Sequence, residues 1–131
     1  MESLPVATKR FSIPARLRSF VYAGRGLGTM LETQHNAWLH GISTCLVIAF
    51  GFWLRVDHHE WLALILAIVS VWTAESLNTA FEFLCDVASP DFHPLVAKAK
   101  DVAAGAVLIA AFGAATIAAL IFVPRLWLLF F

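Results

Sequence analysis

Charge, sulfur and recognisable nucleotide loops are all scarce in this chain. Of 131 residues, 9 are Lys or Arg and 9 are Asp or Glu, so the formal net charge is zero. A balanced chain has no general positive field for nucleic-acid phosphates, and no nucleic-acid partner is expected. There are two cysteines, Cys45 and Cys85, both in apolar surroundings and outside any CxxC or Cys/His spacing. A disulfide framework and a thiolate metal site are therefore not expected, and both thiols read as structural. No Walker A loop and no protein-kinase glycine loop occurs, so any nucleotide site must be of another design. The first ~35 residues are basic but carry no apolar run with a small-residue cleavage site, and so do not form a secretory signal. No internal repeat or second domain is visible, and a single domain over 1–131 is expected.

The remainder is strongly apolar: 60% of residues are hydrophobic and the mean hydropathy is +0.80. A soluble domain of this length has no means of hiding so much apolar surface. An integral membrane protein follows, with its many Phe and Trp suited to lipid-facing and interfacial positions. The patterning predicts an all-α fold of three transmembrane helices, at about 37–56, 60–85 and 97–122, each near the ~20 residues a bilayer needs. Before them, about 14–32, apolar Leu17, Phe20, Val21, Leu27 and Leu31 alternate with Arg16, Arg18 and Arg25 at helical spacing. This predicts an amphipathic helix on the membrane surface, started by Pro14, after a loose polar stretch over 1–12. A loop of about fourteen residues is expected between the second and third spans, with Ser89-Pro90 and His93-Pro94 as breakers. The third span is rich in Ala and Gly, which lets helices approach closely in lipid, and Pro124 is expected to end it. Seven Lys and Arg lie in the N-terminal segment and second loop, against Arg55 and Arg125 on the other side. The positive-inside rule then puts the N-terminus and second loop in the cytoplasm.

Against this background one segment stands out. Residues 75–86 read Glu-Ser-Leu-Asn-Thr-Ala-Phe-Glu-Phe-Leu-Cys-Asp, at the end of a membrane-length apolar run. A charge within a bilayer costs ~2.5–3.5 kcal/mol on insertion scales, so such residues usually have a function. At about 100° per residue, Glu75, Glu82 and Asp86 lie within about 20° of one helix line and Asn78 about 60° away. Carboxylates with an amide suit magnesium, and Lys100 and the arginines suit phosphate. Glu75, set deepest, is placed to take a proton from a buried alcohol. Together these are the parts of a phosphoryl-transfer site. Blander roles exist for each: interhelical hydrogen bonding for Glu75 and Asn78, interfacial solvation for Glu82 and Asp86, and helix capping for Lys100-Asp101. His40, His58 and His59 read as structural or solvated.

Glu75-Ser76-Leu77-Asn78-Thr79-Ala80-Phe81-Glu82 is similar to the Glu-x-x-Asn-[Ser/Thr]-x-x-Glu signature of the small bacterial integral-membrane diacylglycerol and undecaprenol kinases. The likeness extends through Asp86, Ser89-Pro90-Asp91-Phe92-His93-Pro94 and the run from Ala99 through Lys100-Asp101 to Val107. It spans about Arg18 to Pro124. The resemblance implies ATP- and Mg-dependent phosphorylation of a lipid hydroxyl at the cytoplasmic face, by a homotrimer with sites shared between subunits. It implies Glu75 as general base, Asn78 as support and Glu82 as a ligand to magnesium. Lys100 and Asp101 would contact the nucleotide, Tyr22 and His93 would lie close to it, and Arg18 is assigned there too. In the family a second glutamate often precedes the first span and helps bind metal. Here that position is Gln34, which offers an oxygen without charge, and Glu32 is the alternative. The loop and the Lys100–Val107 run look more like the undecaprenol-kinase branch, so a polyprenol substrate is favoured over diacylglycerol. A non-catalytic relative of the family and a small oligomeric channel or transporter are the competing readings.

Overall fold

The computed structural model describes residues 12–131, which form four α-helices and, among the described residues, no strand. They are α1 (Ile13–Thr33), α2 (His35–Trp53), α3 (His58–Ala88) and α4 (Pro94–Phe130). Most of the expected polar start, including Lys9 and Arg10, lies outside the described residues. α2, α3 and α4 are each long and apolar enough to cross a membrane. α3 lies chiefly along α4 and makes smaller contacts with α2 and α1.

Local chemistry sets the helix ends. Pro14 sits in the first turn of α1, where its missing N–H is no loss. Gln34 is the sole non-helical residue between α1 and α2; its extended backbone ends one helix and begins the next. The α2 end is a Schellman turn: Val56 N–H reaches Gly51 O at 3.1 Å and Arg55 N–H reaches Phe52 O at 3.2 Å. Arg55 takes the left-handed position at φ 50°, which glycine normally fills. Asp57 then opens α3 with a capping box: its carboxylate accepts from His59 and Glu60 N–H, and Glu60 accepts from Asp57 N–H.

Three expectations about boundaries need correction. The connection between α3 and α4 is Ser89–His93, far shorter than fourteen residues. α3 continues three residues past Cys85, and His93 caps α4 by accepting Leu95 N–H ahead of Pro94. Lys100-Asp101 therefore lies inside α4 and caps nothing. Pro124 does not end the last helix, which runs on to Phe130. A proline is tolerated where lipid or protein leaves the backbone no alternative to internal hydrogen bonding. The segment beyond it is also anchored: Arg125 grips Glu60 with two nitrogens and donates to Leu54 O (3.2 Å) and Arg55 O (3.4 Å).

The register of α2 against α3 is antiparallel and can be followed residue by residue. Trp61 packs against Gly51, where a Cβ would come within 2.6 Å of its ring. Trp72 Nε1 donates to Thr44 Oγ1 at 3.0 Å. One turn back along α2 and one turn on along α3, His40 meets Glu75. Ten residues from the Thr44–Trp72 bond on both helices, Gln34 meets Glu82. Both tryptophans thus serve helix–helix contact as well as any lipid-facing role.

Candidate active site

α3 buries Leu64, Ala67, Val71, Glu75 and Asn78 at steps of three or four residues, then Thr79 and, two turns beyond Asn78, Cys85. That spacing defines a single core-facing stripe. Partway along it the apolar sequence gives way to a carboxylate and an amide. Glu75 has no solvent exposure. Exposure then rises along the polar line: Asn78 is buried, Glu82 half-buried and Asp86 exposed.

Satisfaction of these groups is uneven. Glu82 is well held: Gln34 Nε2 donates to Oε2 and Asn78 Nδ2 to Oε1, each at 3.0 Å. Glu75 is not. Both of its carboxylate oxygens lack a hydrogen-bond partner, as do Asn78 Oδ1 and His40 Nε2. Its nearest charge-bearing neighbour is His40, with Nε2 at 3.7 Å from Oε2, inside ion-pair range and outside hydrogen-bonding range. Buried polar atoms are nearly always paired, and an isolated buried carboxylate is expensive. Four unpartnered polar atoms thus lie on two successive turns of α3 and the facing turn of α2.

The other expected residues lie further out. Lys100 Nζ pairs with Asp86 Oδ1 across the α3–α4 connection. Asp101 is exposed on α4, and His93 is held at the start of that helix by its Nδ1. Arg18 and Tyr22 are exposed on successive turns of α1. Met30 is buried against α3, its Sδ accepting from Ser76 Oγ at 3.5 Å. A cavity of about 550 Å³ separates this part of α1 from α3, lined by Gly26, Met30, Ser76 and Phe83 among others.

Gln34 and Asn78 thus both bond Glu82, while among the described residues no hydrogen bond or ion pair joins Arg18, Tyr22, His93 or Asp101 to them. His40, expected to be structural or solvated, is the residue beside Glu75. Periodicity within α3 could not reveal it, because its position depends on the register between two helices. No group of three His, Cys, Asp or Glu able to hold a metal occurs among the described residues. The donor set that is present is all oxygen: one Glu82 carboxylate beside an unpartnered Asn78 carbonyl and the Gln34 amide. It fits magnesium, which binds through few carboxylates and completes its shell with water and phosphate.

Comparison with known proteins gives a consistent result. The family model described as prokaryotic diacylglycerol kinase matches residues 21–122. An undecaprenol kinase of Bacillus subtilis is 39% identical over 109 residues, covering 83% of this chain and 89% of the relative. A diacylglycerol kinase of Synechocystis is 35% identical over 114 residues, covering 86% of this chain and 65% of the relative. The diacylglycerol kinase of Escherichia coli K12 is 32% identical over 89 residues, covering 68% and 73% respectively.

Proposed function

The chain belongs to the prokaryotic diacylglycerol kinase family and is a lipid kinase; on that premise we propose that it transfers the terminal phosphoryl group of ATP, as the magnesium complex, to the hydroxyl of a polyprenol. The observation that carries this reading is the Glu75 carboxylate, fully buried and with both oxygens unpartnered. A carboxylate kept from water and from donors is available to accept a proton from an alcohol. The alcohol oxygen attacks the terminal phosphorus, its proton passes to Glu75, and the bond from phosphorus to the bridging oxygen breaks, releasing ADP.

The other residues divide the remaining work. Glu82, steadied by Gln34 and Asn78, would hold the cation, with the amide oxygens available as neutral ligands. Magnesium, when bound, draws off the charge that develops on the phosphate oxygens. Lys100 and Arg18 neutralise phosphate, while Asp101, Tyr22 and His93 border the nucleotide. The distance of α1's outer half and of α4's start from Glu75 within one subunit supports a site completed between copies in a homotrimer. The distribution of Lys and Arg supports a cytoplasmic site in a bacterial inner membrane, with α1 along its surface.

The choice of polyprenol is supported by the Bacillus subtilis relative, named an undecaprenol kinase. The test is direct. Protein in nanodiscs receives terminally labelled ATP, magnesium and either undecaprenol or diacylglycerol. Label is expected in the polyprenyl phosphate at least tenfold faster than in phosphatidic acid. Faster labelling of diacylglycerol overturns the substrate choice, and labelling of neither lipid overturns the reaction.

A further inference from the structure

The role given to Glu75 creates a problem that its surroundings must solve. Once it has taken a proton from the alcohol, it is a neutral acid in a dry core and must lose that proton before the next turnover. Its own helix offers little help: Glu82, two turns on, is another carboxylate and is already held by two amides. α4 presents alanines to this region, Ala103 and Ala106 beside Asn78, and Ala111 and Ala114 further along. α1 presents Met30. The one basic group facing Glu75 from any of the described helices is His40 on α2.

His40 is placed by constraints independent of Glu75. Ala37, one turn earlier on the same face, has no solvent exposure, and Thr44, one turn later, is hydrogen-bonded to Trp72. These two contacts hold the α2 register, and with it the imidazole, against α3. Nε2 is buried and unpartnered, and points to Glu75 Oε2 at 3.7 Å, a gap that a small rotation closes. On its other side the ring lines a cavity of about 170 Å³ between α2, α3 and α4, which also exposes Ser43 and Thr44. A space of that size with polar groups on its wall has room for several waters.

We infer that His40 is a positioning residue for Glu75, aiming its carboxylate and then taking the alcohol-derived proton on Nε2. This rests on the reading of Glu75 as the base. The proton moves from Glu75 Oε2 to His40 Nε2, leaving a carboxylate–imidazolium pair, and from the imidazolium to water in the adjoining cavity. No electrons change hands and no further reactant is required.

The test measures turnover in nanodiscs for wild type, His40→Ala and His40→Gln, with Glu75→Gln alongside. Both His40 variants are expected to lose at least tenfold in kcat at unchanged KM for ATP. Added imidazole should restore His40→Ala severalfold more than pyrazole, a ring of the same shape and much lower basicity. Wild-type kcat in both variants overturns the inference, as does equal rescue by the two azoles, or by neither. If His40→Ala does not assemble, His40→Gln decides: wild-type kcat overturns the inference and a tenfold loss at unchanged KM supports it. Full activity in Glu75→Gln sinks the base reading itself. An inactive Glu75→Gln with fully active His40 variants sinks only the inference about His40.

Discussion

α3 carries a polar cluster at each end, and the two are built on opposite terms. At its N-terminal end every principal charged atom is matched. Glu60 accepts from Asp57 N–H and from two nitrogens of Arg125, and the remaining guanidinium nitrogen caps the carbonyls of Leu54 and Arg55. Toward its C-terminal end, Glu75, Asn78 and His40 between them leave four buried atoms unmatched. A satisfied cluster of this kind ties neighbouring helix ends together and fixes chain geometry. An unsatisfied one is held in place by its neighbours and keeps its binding capacity for something that arrives. The contrast is the clearest physical sign of where chemistry takes place, because the residue types at the two ends are much the same.

Substitutions at either end can break that contrast. The largest effect is expected from Glu75→Gln, which leaves shape nearly unchanged and removes the proton acceptor. Turnover should fall by about a hundredfold or more, the usual worth of a general base, while the thermal midpoint in detergent does not fall. A marked loss of stability would mean that this carboxylate is structural, like Glu60. The converse is Arg125→Ala. It strands the part-buried Glu60 carboxylate and two backbone carbonyls, and hydrogen bonds to charged groups contribute about 1.5–3 kcal/mol each. Denaturant unfolding should show a loss of that order, with turnover per folded molecule unaltered. A catalytic defect at full stability would contradict the assignment.

Gln34→Glu sharpens the comparison from the active side. It replaces a donor to Glu82 with a second carboxylate, so the pair repels until a cation binds between them. A magnesium titration of activity should show several-fold tighter apparent affinity, and an unchanged curve would place residue 34 outside the metal site. The smallest effect concerns Asp57. The Glu60 N–H, with lesser help from the His59 N–H and from nearby positive charge, holds its carboxyl below the usual carboxylate range. A depressed folded-state value means stability that is present above the ordinary carboxylate range and lost as pH falls through the folded value. Asp57→Asn keeps a good capping residue but cannot ionise, so it should lose that small contribution at neutral pH and converge with wild type in acid, flattening that part of the stability profile.

How much of this was legible beforehand depended on the range over which each feature is encoded. The α3 stripe was readable because Glu75, Asn78 and Glu82 are related by helical spacing within one segment. The α1 helix and three apolar helices followed from composition and period alone. What stayed hidden was non-local. His40 differs from any other span histidine only because the Thr44–Trp72 contact sets it opposite Glu75. Arg125 was counted as a charge for orientation and not as a partner, since Glu60 lies 65 residues away. Lys100 was expected at the nucleotide without its Asp86 partner, because an overlong loop hid how near α4 begins to the end of α3. Pro124 was weighed by the rules of aqueous helices, which do not hold in lipid.

Helix length has a consequence of its own. α3, with 31 residues, and α4, with 37, extend about 46 and 55 Å at 1.5 Å per residue, well beyond a hydrocarbon layer of about 30 Å. The surplus carries the Lys100–Asp86 pair toward the headgroups while Glu75 remains about three turns deeper. Acyl-chain length in the host membrane therefore acts as a level, setting how far Glu75 lies beneath the headgroups.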